Sequence, residues 1–419
     1  SSRFGPNAPL LASSRAAARG LNPGTVWHFC RMTAVLAIAA LLSGHALAAA
    51  AAEAPSFEAY VLRFGLGFPK AELPARQALY QQRLAAVAAQ NSKVGRLWTA
   101  GVNELTAATE QEIAASFGYD KALRGRGGLA APAAKRPLLR ATQAQPKSVD
   151  WRERRPSVVT AVKSQGSCGS CWAFAAAAVL ESHIAIRTGV LFDLSPQQLN
   201  SCTPNPRRCG GSGGCRGATA QLAFNYTVHS GVNTQWNYPY LSGITGNSEQ
   251  CLHGWKYSSR FAGITGYVSL PQNDAQALLA AVLEGPVAVS VAASEWHLYE
   301  GGIFDGCSKS RPILNHAVVL MGYGEEEVQG HGIVHYWLIR NSWTATWGDK
   351  GYIRLRRYPQ AEPCGVDDVP LNGYSCAADA PDNVTACGEC GILSDSAYPV
   401  GAFLGAPAVP EDPAYGPGP

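Results

Sequence analysis

Eleven cysteines fall between residues 168 and 390 of this 419-residue chain, and none falls between 53 and 120. A dense, odd set of this kind fits a domain stapled by disulfides with one thiol left over, provided that the chain enters an oxidising compartment. The stretch MTAVLAIAALLSGHALA at 32–48 supplies that condition, because an apolar run of secretory length ends in the small-residue pattern Ala46-Leu47-Ala48 and reads as a signal peptide. It falls short of the roughly 20 apolar residues of a membrane span, and no other segment suits a bilayer. Met32 and Met321 are the only methionines. A start at Met32 makes residues 1–31 untranslated or artefactual upstream sequence and removes Cys30 from the count.

Two regions of different character follow. Residues 53–120 are rich in Ala, Gln and Leu, and Glu72, Arg76, Tyr80, Arg83, Val87 and Asn91 recur at steps of three and four, which places them on one helix face. The linker RGRGGLAAPAAKRPLLRATQAQPK looks exposed and cleavable, so a processing boundary is expected there. Beyond Val149-Asp150-Trp151, Gly, Cys and aromatic residues dominate. Helices are expected from Ser170 to Arg187, from Ser195, whose Ser-Pro-Gln-Gln start caps itself, and from Gly217 to His229. The segments 286–293, 316–324, 335–343 and 351–357 read as strands. Helices followed by strands predict an α+β domain with a cleft between two lobes. The tail from Gly401 is low in complexity and expected to be disordered. With a net charge of +4 and no basic run longer than a pair, nothing points to nucleic acid.

The pair in SQGSCGSCWAF, Cys168 and Cys171, admits three readings: a redox dithiol, half of a zinc site, or a catalytic thiol beside a structural one. The first expects a βαβ context that is missing, and the second has only Cys387 and Cys390 as a partner pair. The third has a physical basis, since Cys171 begins a helix, where unpaired N–H groups and the macrodipole favour thiolate. It needs a base, and His316 and Asn341 stand in the stranded half. Taken singly, His316 is an ordinary strand-start histidine, Asn341 a turn residue and Gln165 a surface amide; their joint order is what carries weight.

The blocks SQGSCGSCWAF, LNHAVVLMGYG and YWLIRNSWTATWGDKGYIRL resemble the active-site segments of papain-like cysteine proteases, and the resemblance spans about residues 53–399. It implies a two-lobed fold, with a helical left lobe, an antiparallel β-barrel-like right lobe and a helical N-terminal prosegment. It implies Cys171 as nucleophile, His316 as base, Asn341 as the group that orients the imidazole, Gln165 with the Cys171 N–H as oxyanion hole, and Trp343 as a shield over the Asn–His contact. It pairs Cys168 with Cys215, Cys202 with Cys251, and Cys307 with either Cys364 or Cys390. Cys171 is then the odd thiol. No cofactor or metal is implied. The partners are polypeptide substrates and the chain's own prosegment, acting as an intramolecular inhibitor in a monomer.

The same resemblance divides the chain into an inhibitory propeptide and linker at 49–146 and a catalytic domain at 147–400. The Glu72 to Asn91 pattern and Gly101-Val102-Asn103-Glu104-Leu105 resemble the prosegment of cathepsin L-like proteases, with Arg83 where Asn is usual and Ala107 where Asp is usual. The implied product is a zymogen on the secretory route, destined for a lysosome or vacuole or for the exterior. In the specificity region, Gly217 is followed by Ala218 where a glycine is usual, and its Cβ is expected to restrict substrate approach. Asp395 is placed at the floor of the S2 pocket, with Leu314, Ala317, Ser290 and Ala220 as walls, so arginine is expected beside leucine and phenylalanine at P2. An insertion of roughly 25 residues between Arg357 and Gly391, carrying a glycosylation sequon at Asn383, is expected to form a stapled loop beside the cleft. Rival functions are a catalytically silent binding protein, a thiol–disulfide oxidoreductase and a peptide ligase.

Overall fold

A computed structural model describes residues 54–118, 145–252, 261–378 and 380–405. The upstream stretch 1–31, the signal peptide at 32–48, most of the linker and the tail from 406 lie outside the described residues. Among the described residues, no helix is long and apolar enough to cross a membrane.

The prosegment opens with α1 (Phe57–Phe64), capped by Ser56, and continues into α2 (Leu73–Asn91), β1 (Trp98–Ala100) and α3 (Glu110–Ala115). The expected face of α2 is the inward one: Arg76, Tyr80 and Arg83 are buried, and Val87 and Asn91 are half-buried. Buried guanidinium groups need partners, and both find them. Arg76 pairs with Glu72 and Glu112 and donates to the Ala107 carbonyl. Arg83 donates to the carbonyls of Leu105, Thr106 and Ala108 and pairs with Glu110. The five fixed donors of an arginine thus gather the turn before α3, which a shorter asparagine cannot reach in the same way. Tyr60 stacks on Tyr80 and accepts from the Ala107 N–H, so the Ala107 position is held through its backbone.

After β2 (Val149–Asp150) come the helices of the left lobe, α4 (Cys171–Thr188), α5 (Pro196–Cys202), α6 (Ala220–Ser230) and α7 (Ser242–Thr245). The Ser195 side chain accepts from Gln198 N as its Ser-Pro start foretold. α4 is buried nearly all round, because its alanines let α5, α6 and the sheet approach closely. Its C-terminus stops at Gly189, in the left-handed region.

The right lobe holds β3 (Ala262–Gly263), β4 (Gly266–Ser269), α8 (Ala275–Glu284), β5 (Val287–Val291), β6 (Tyr299–Phe304), β7 (His316–Val328), β8 (Gly332–Arg340), β9 (Tyr352–Arg357), β10 (Cys364–Asp367), β11 (Val384–Cys387), β12 (Ser396–Val400) and β13 (Phe403–Leu404). The main sheet runs β1-β6-β9-β8-β7-β5-β12-β4, with β2 beside β7. It is antiparallel except for β6 and β9, which run parallel, and the order does not close on itself among the described residues. The barrel-like expectation is corrected to an open sheet, one edge of which is taken by β1 of the prosegment pairing with β6. The tail is corrected as well, because Phe403 and Leu404 pair with Gly263 and Ala262, and the ring of Phe403 fills the space beside Gly263.

Five disulfides join the domain: Cys168–Cys215, Cys202–Cys251, Cys209–Cys376, Cys307–Cys390 and Cys364–Cys387. The open choice for Cys307 resolves to Cys390, because Cys364 lies across the β10–β11 ladder from Cys387. The zinc reading of Cys387 and Cys390 ends here, as does the dithiol reading of Cys168. Among the described residues, Cys171 is the free cysteine.

Candidate active site

Cys171 is the first residue of α4, and His316 the first of β7. The two lobes meet here, with the Ala317 N–H 3.3 Å from Cys171 Sγ. His316 Nε2 lies 2.8 Å from Asn341 Oδ1, which also accepts from the Ser342 N–H. With Nε2 donating to Asn341, Nδ1 is the remaining ring nitrogen, buried and without a hydrogen-bond partner. Trp343 stacks on the imidazole at 4.8 Å between ring centroids, and Trp296 meets it edge-on at 6.3 Å. Trp347 closes this aromatic wall against both tryptophans. Sequence reasoning named Trp343 and missed Trp296 and Trp347; the WGDKGY block held Trp347 in plain view, whereas nothing local marks Trp296.

Gln165 is aimed by Ser342, whose Oγ donates to Gln165 Oε1 at 2.7 Å and whose carbonyl accepts the Gln165 N–H. The Gln165 amide donates to the Cys168 carbonyl and to the carbonyl of Ser116, each at 2.9 Å. Ser116 belongs to the prosegment. Its neighbour Phe117 sets its ring against His316 and Trp343. Gly118 follows so closely that a Cβ there would stand 2.2 Å from Cys171 Sγ. A Cβ on Gly217 would likewise meet the Gly118 carbonyl at 2.0 Å, at a φ of +88 that favours glycine in any case. Ser116-Phe117-Gly118 thus fills the cleft. The sequence carried one local sign of it, the Thr109–Glu112 capping box that starts α3 just ahead.

This plug sets the electrostatics. Burial pushes the Cys171 thiol up to about 12, against N–H groups of Ala317 and Gly118 that draw it down. Burial holds His316 down at about 4, with the Asn341 contact opposing. In the closed cleft the pair is therefore neutral thiol and neutral imidazole, since desolvation disfavours both charges.

Leu314, Ala317, Ser290 and Ala220 are buried, and Ala218 is wholly so. The plug approaches Gly217 tightly. Asp395 does not point to solvent: it accepts from Ser290 Oγ at 2.6 Å and from Gln221 Nε2 at 2.5 Å, and burial raises its pKa. Gln221 was not foreseen, because it contacts Asp395 only through the fold.

The model of the papain family of cysteine proteases matches residues 145–373. The chain belongs to that family. Fruit bromelain from Ananas comosus is 31% identical over 330 residues, covering 75% of this chain and 84% of bromelain. Cathepsin S from Rattus norvegicus is 35% identical over 64% of this chain and 76% of its own length. A rice relative, cysteine protease 1 from Oryza sativa subsp. japonica, is longer, and the match covers 45% of it. Among solved structures, a recombinant stem bromelain precursor aligns with TM-score 0.62 at 31% identity, over 82% of this chain and 97% of that one. Digestive procathepsin L 3 of Tenebrio molitor larval midgut aligns at 0.61 and 28% identity, over 81% and 96%. The papain-family protease described here is a cysteine-type endopeptidase with a proform architecture, two lobes and an N-terminal prosegment.

Proposed function

We propose that the protein is the zymogen of a secreted cysteine endopeptidase, with residues 49–146 as inhibitory propeptide and linker and residues 147–400 as the catalytic domain. Cys171 is the nucleophile and His316 its proton partner. The observation that supports this most is the path of Ser116-Phe117-Gly118, which puts a peptide carbonyl on Gln165 and a backbone glycine on Cys171, as a substrate would be. Processing in the linker removes the plug and rehydrates the pair, so a proton passes from Cys171 to His316 Nδ1. The thiolate then attacks the peptide carbonyl, and Gln165 Nε2 with the Cys171 N–H takes the negative charge of the tetrahedral oxygen. Asn341 keeps the imidazole in register, and Trp343 keeps water from their hydrogen bond. His316 gives its proton to the leaving amine as the C–N bond breaks, and water then cleaves the thioester.

Asp395, with Leu314, Ala317, Ser290 and Ala220, forms the S2 subsite, and an arginine at P2 is accepted where the carboxylate is ionised. The enzyme works as a monomer on the secretory route, in a lysosome or vacuole or outside the cell. Incubation of the acid-processed enzyme with a thiol-directed epoxide, followed by mass spectrometry of the labelled peptide, tests the reading. Label on Cys171 with matching loss of peptide hydrolysis is expected; correctly processed, folded protein without label on Cys171 overturns it.

A further inference from the structure

The insertion after β9 does more than hang beside the cleft. Its base, β10 and β11, is stapled by Cys364–Cys387 and docked on the right lobe: Val366 N donates to the Ser310 carbonyl, and Asp367 accepts from the Leu314 N–H. From there the chain crosses to the left lobe within a few residues. Gly373 lies against Leu314, where a Cβ would come within 2.9 Å of the Leu314 carbonyl. Tyr374 accepts at its hydroxyl from Gln272 Nε2, 2.9 Å away. The Ser375 carbonyl accepts from the Gly210 N–H at 3.1 Å, Ala377 N donates to the Arg208 carbonyl, and Cys376 is disulfide-bonded to Cys209. Gly210 is the residue whose carbonyl flanks Gly217 beside the plug, 2.2 Å from where a Gly217 Cβ would be. The two walls of the cleft are therefore joined by residues 373–376, whose partner Gly210 flanks Gly217 beside Gly118, and one of the ties is covalent.

We propose that residues 373–376 are a strap that ends substrate recognition at the second residue upstream of the scissile bond. An extended chain advances about 3.3 Å per residue, so a third upstream residue meets the strap and turns out of the cleft or contributes nothing. Tyr374 becomes part of the S2 boundary. The proposal rests on the protease reading and on Leu314 marking the upstream side. In most clefts open at that end, each further residue bound adds transition-state stabilisation; here the gain stops at two.

The test uses the processed enzyme and three fluorogenic amides with the same two residues before the scissile bond: a free-amino dipeptide, an acylated dipeptide and an acylated tetrapeptide. For the wild type, kcat/KM is expected to stay level or fall along the series. In the double variant Cys209→Ser/Cys376→Ser, the tetrapeptide is expected to gain roughly tenfold over the dipeptides. The wild-type series needs no variant to fold, and Tyr374→Ala, which leaves the disulfide intact, is expected to favour bulkier second residues selectively. A wild-type enzyme that gains tenfold on the tetrapeptide overturns the strap. Absence of turnover on all three amides together with an unlabelled Cys171 overturns the protease reading beneath it, and is told apart from failure of the strap by the epoxide label.

Discussion

The cleft between the lobes is occupied at two places by the chain's own backbone, and the two occupants are held in opposite ways. Ser116-Phe117-Gly118 sits on the reacting atoms and is held by reversible contacts: one amide hydrogen bond, an aromatic face, the β1–β6 pairing, and Glu104 accepting from Thr344 and Thr346. The strap at 373–376 lies farther along and is tied by Cys209–Cys376, with Cys364–Cys387 beneath it. A reversible plug suits a part that must leave, whereas a disulfide in the secretory pathway suits a part that must stay.

Burial also shifts titrating groups at both places. His316 under the plug has its pKa lowered from 6.5 to about 4, and Cys171 is raised to about 12, so it stays a thiol while the cleft is closed. Opening moves the Cys171 proton onto His316, so the pair carries one proton in either form across that window and by itself gives closure no pH dependence there. Glu362, just ahead of β10, is instead raised from 4.5 to about 7 by burial, against the Tyr358 N–H that draws it down. Its protonation supports the folded insertion at acid pH, and that support is lost as the pH rises through about 7.

Substitutions and pH changes break this contrast in graded steps. The largest effect is expected from Cys171→Ala, with peptide hydrolysis reduced by several orders of magnitude, on the order of a million-fold, while the purified zymogen keeps its melting temperature within a few degrees. Next comes the pH profile: since opening leaves the pair's proton count unchanged, exposure of Cys171 to the epoxide is expected to vary by less than about threefold between pH 6.5 and 4. An acceleration of roughly two orders of magnitude over that range would show that His316 gains a proton on opening while Cys171 keeps its own. The Arg76–Glu112 pair adds no trend there either, because Arg76 holds Glu112 down at about 2 and the pair survives the acid range. Third, Cys364→Ser/Cys387→Ser is expected to cost about 3 kcal/mol for a loop of this length, read as a lower melting temperature of the mature enzyme; the protection of the β10 and β11 amides in the wild type, corrected for the intrinsic pH dependence of exchange, should be greater at pH 5 than at pH 8. Fourth, Arg83→Ala strands three prosegment carbonyls, at about 1–3 kcal/mol for a buried group left unpaired, and should make the zymogen leak activity at neutral pH without altering the mature enzyme. The smallest effect concerns Asp395: since burial raises its pKa, turnover of P2-arginine substrates should fall relative to P2-leucine as the pH drops, and Asp395→Ala should remove that difference.

Much of this molecule was legible in its residues. The start of α4 at Cys171, the cap of α5, the inward face of α2 and the strand carrying His316 all follow from short-range rules, in which caps, periodicity and turn residues act within a few positions. The leftover thiol followed from counting. By contrast, the sequence alone left the partner of Cys307 undecided and left Cys209 and Cys376 without any pairing, because connectivity among several cysteines depends on which loops the fold brings together. The same holds for Trp296 against His316, Gln221 on Asp395 and the Ser116 carbonyl on Gln165: each joins residues remote in sequence, and no local pattern encodes such a contact. The sequence by itself determined the chemistry available, a cysteine at a helix start with a histidine and an asparagine in a stapled chain. Only the tertiary structure decided how that chemistry is held, because packing buries the pair neutral under one segment and ties the cleft shut beyond it with another.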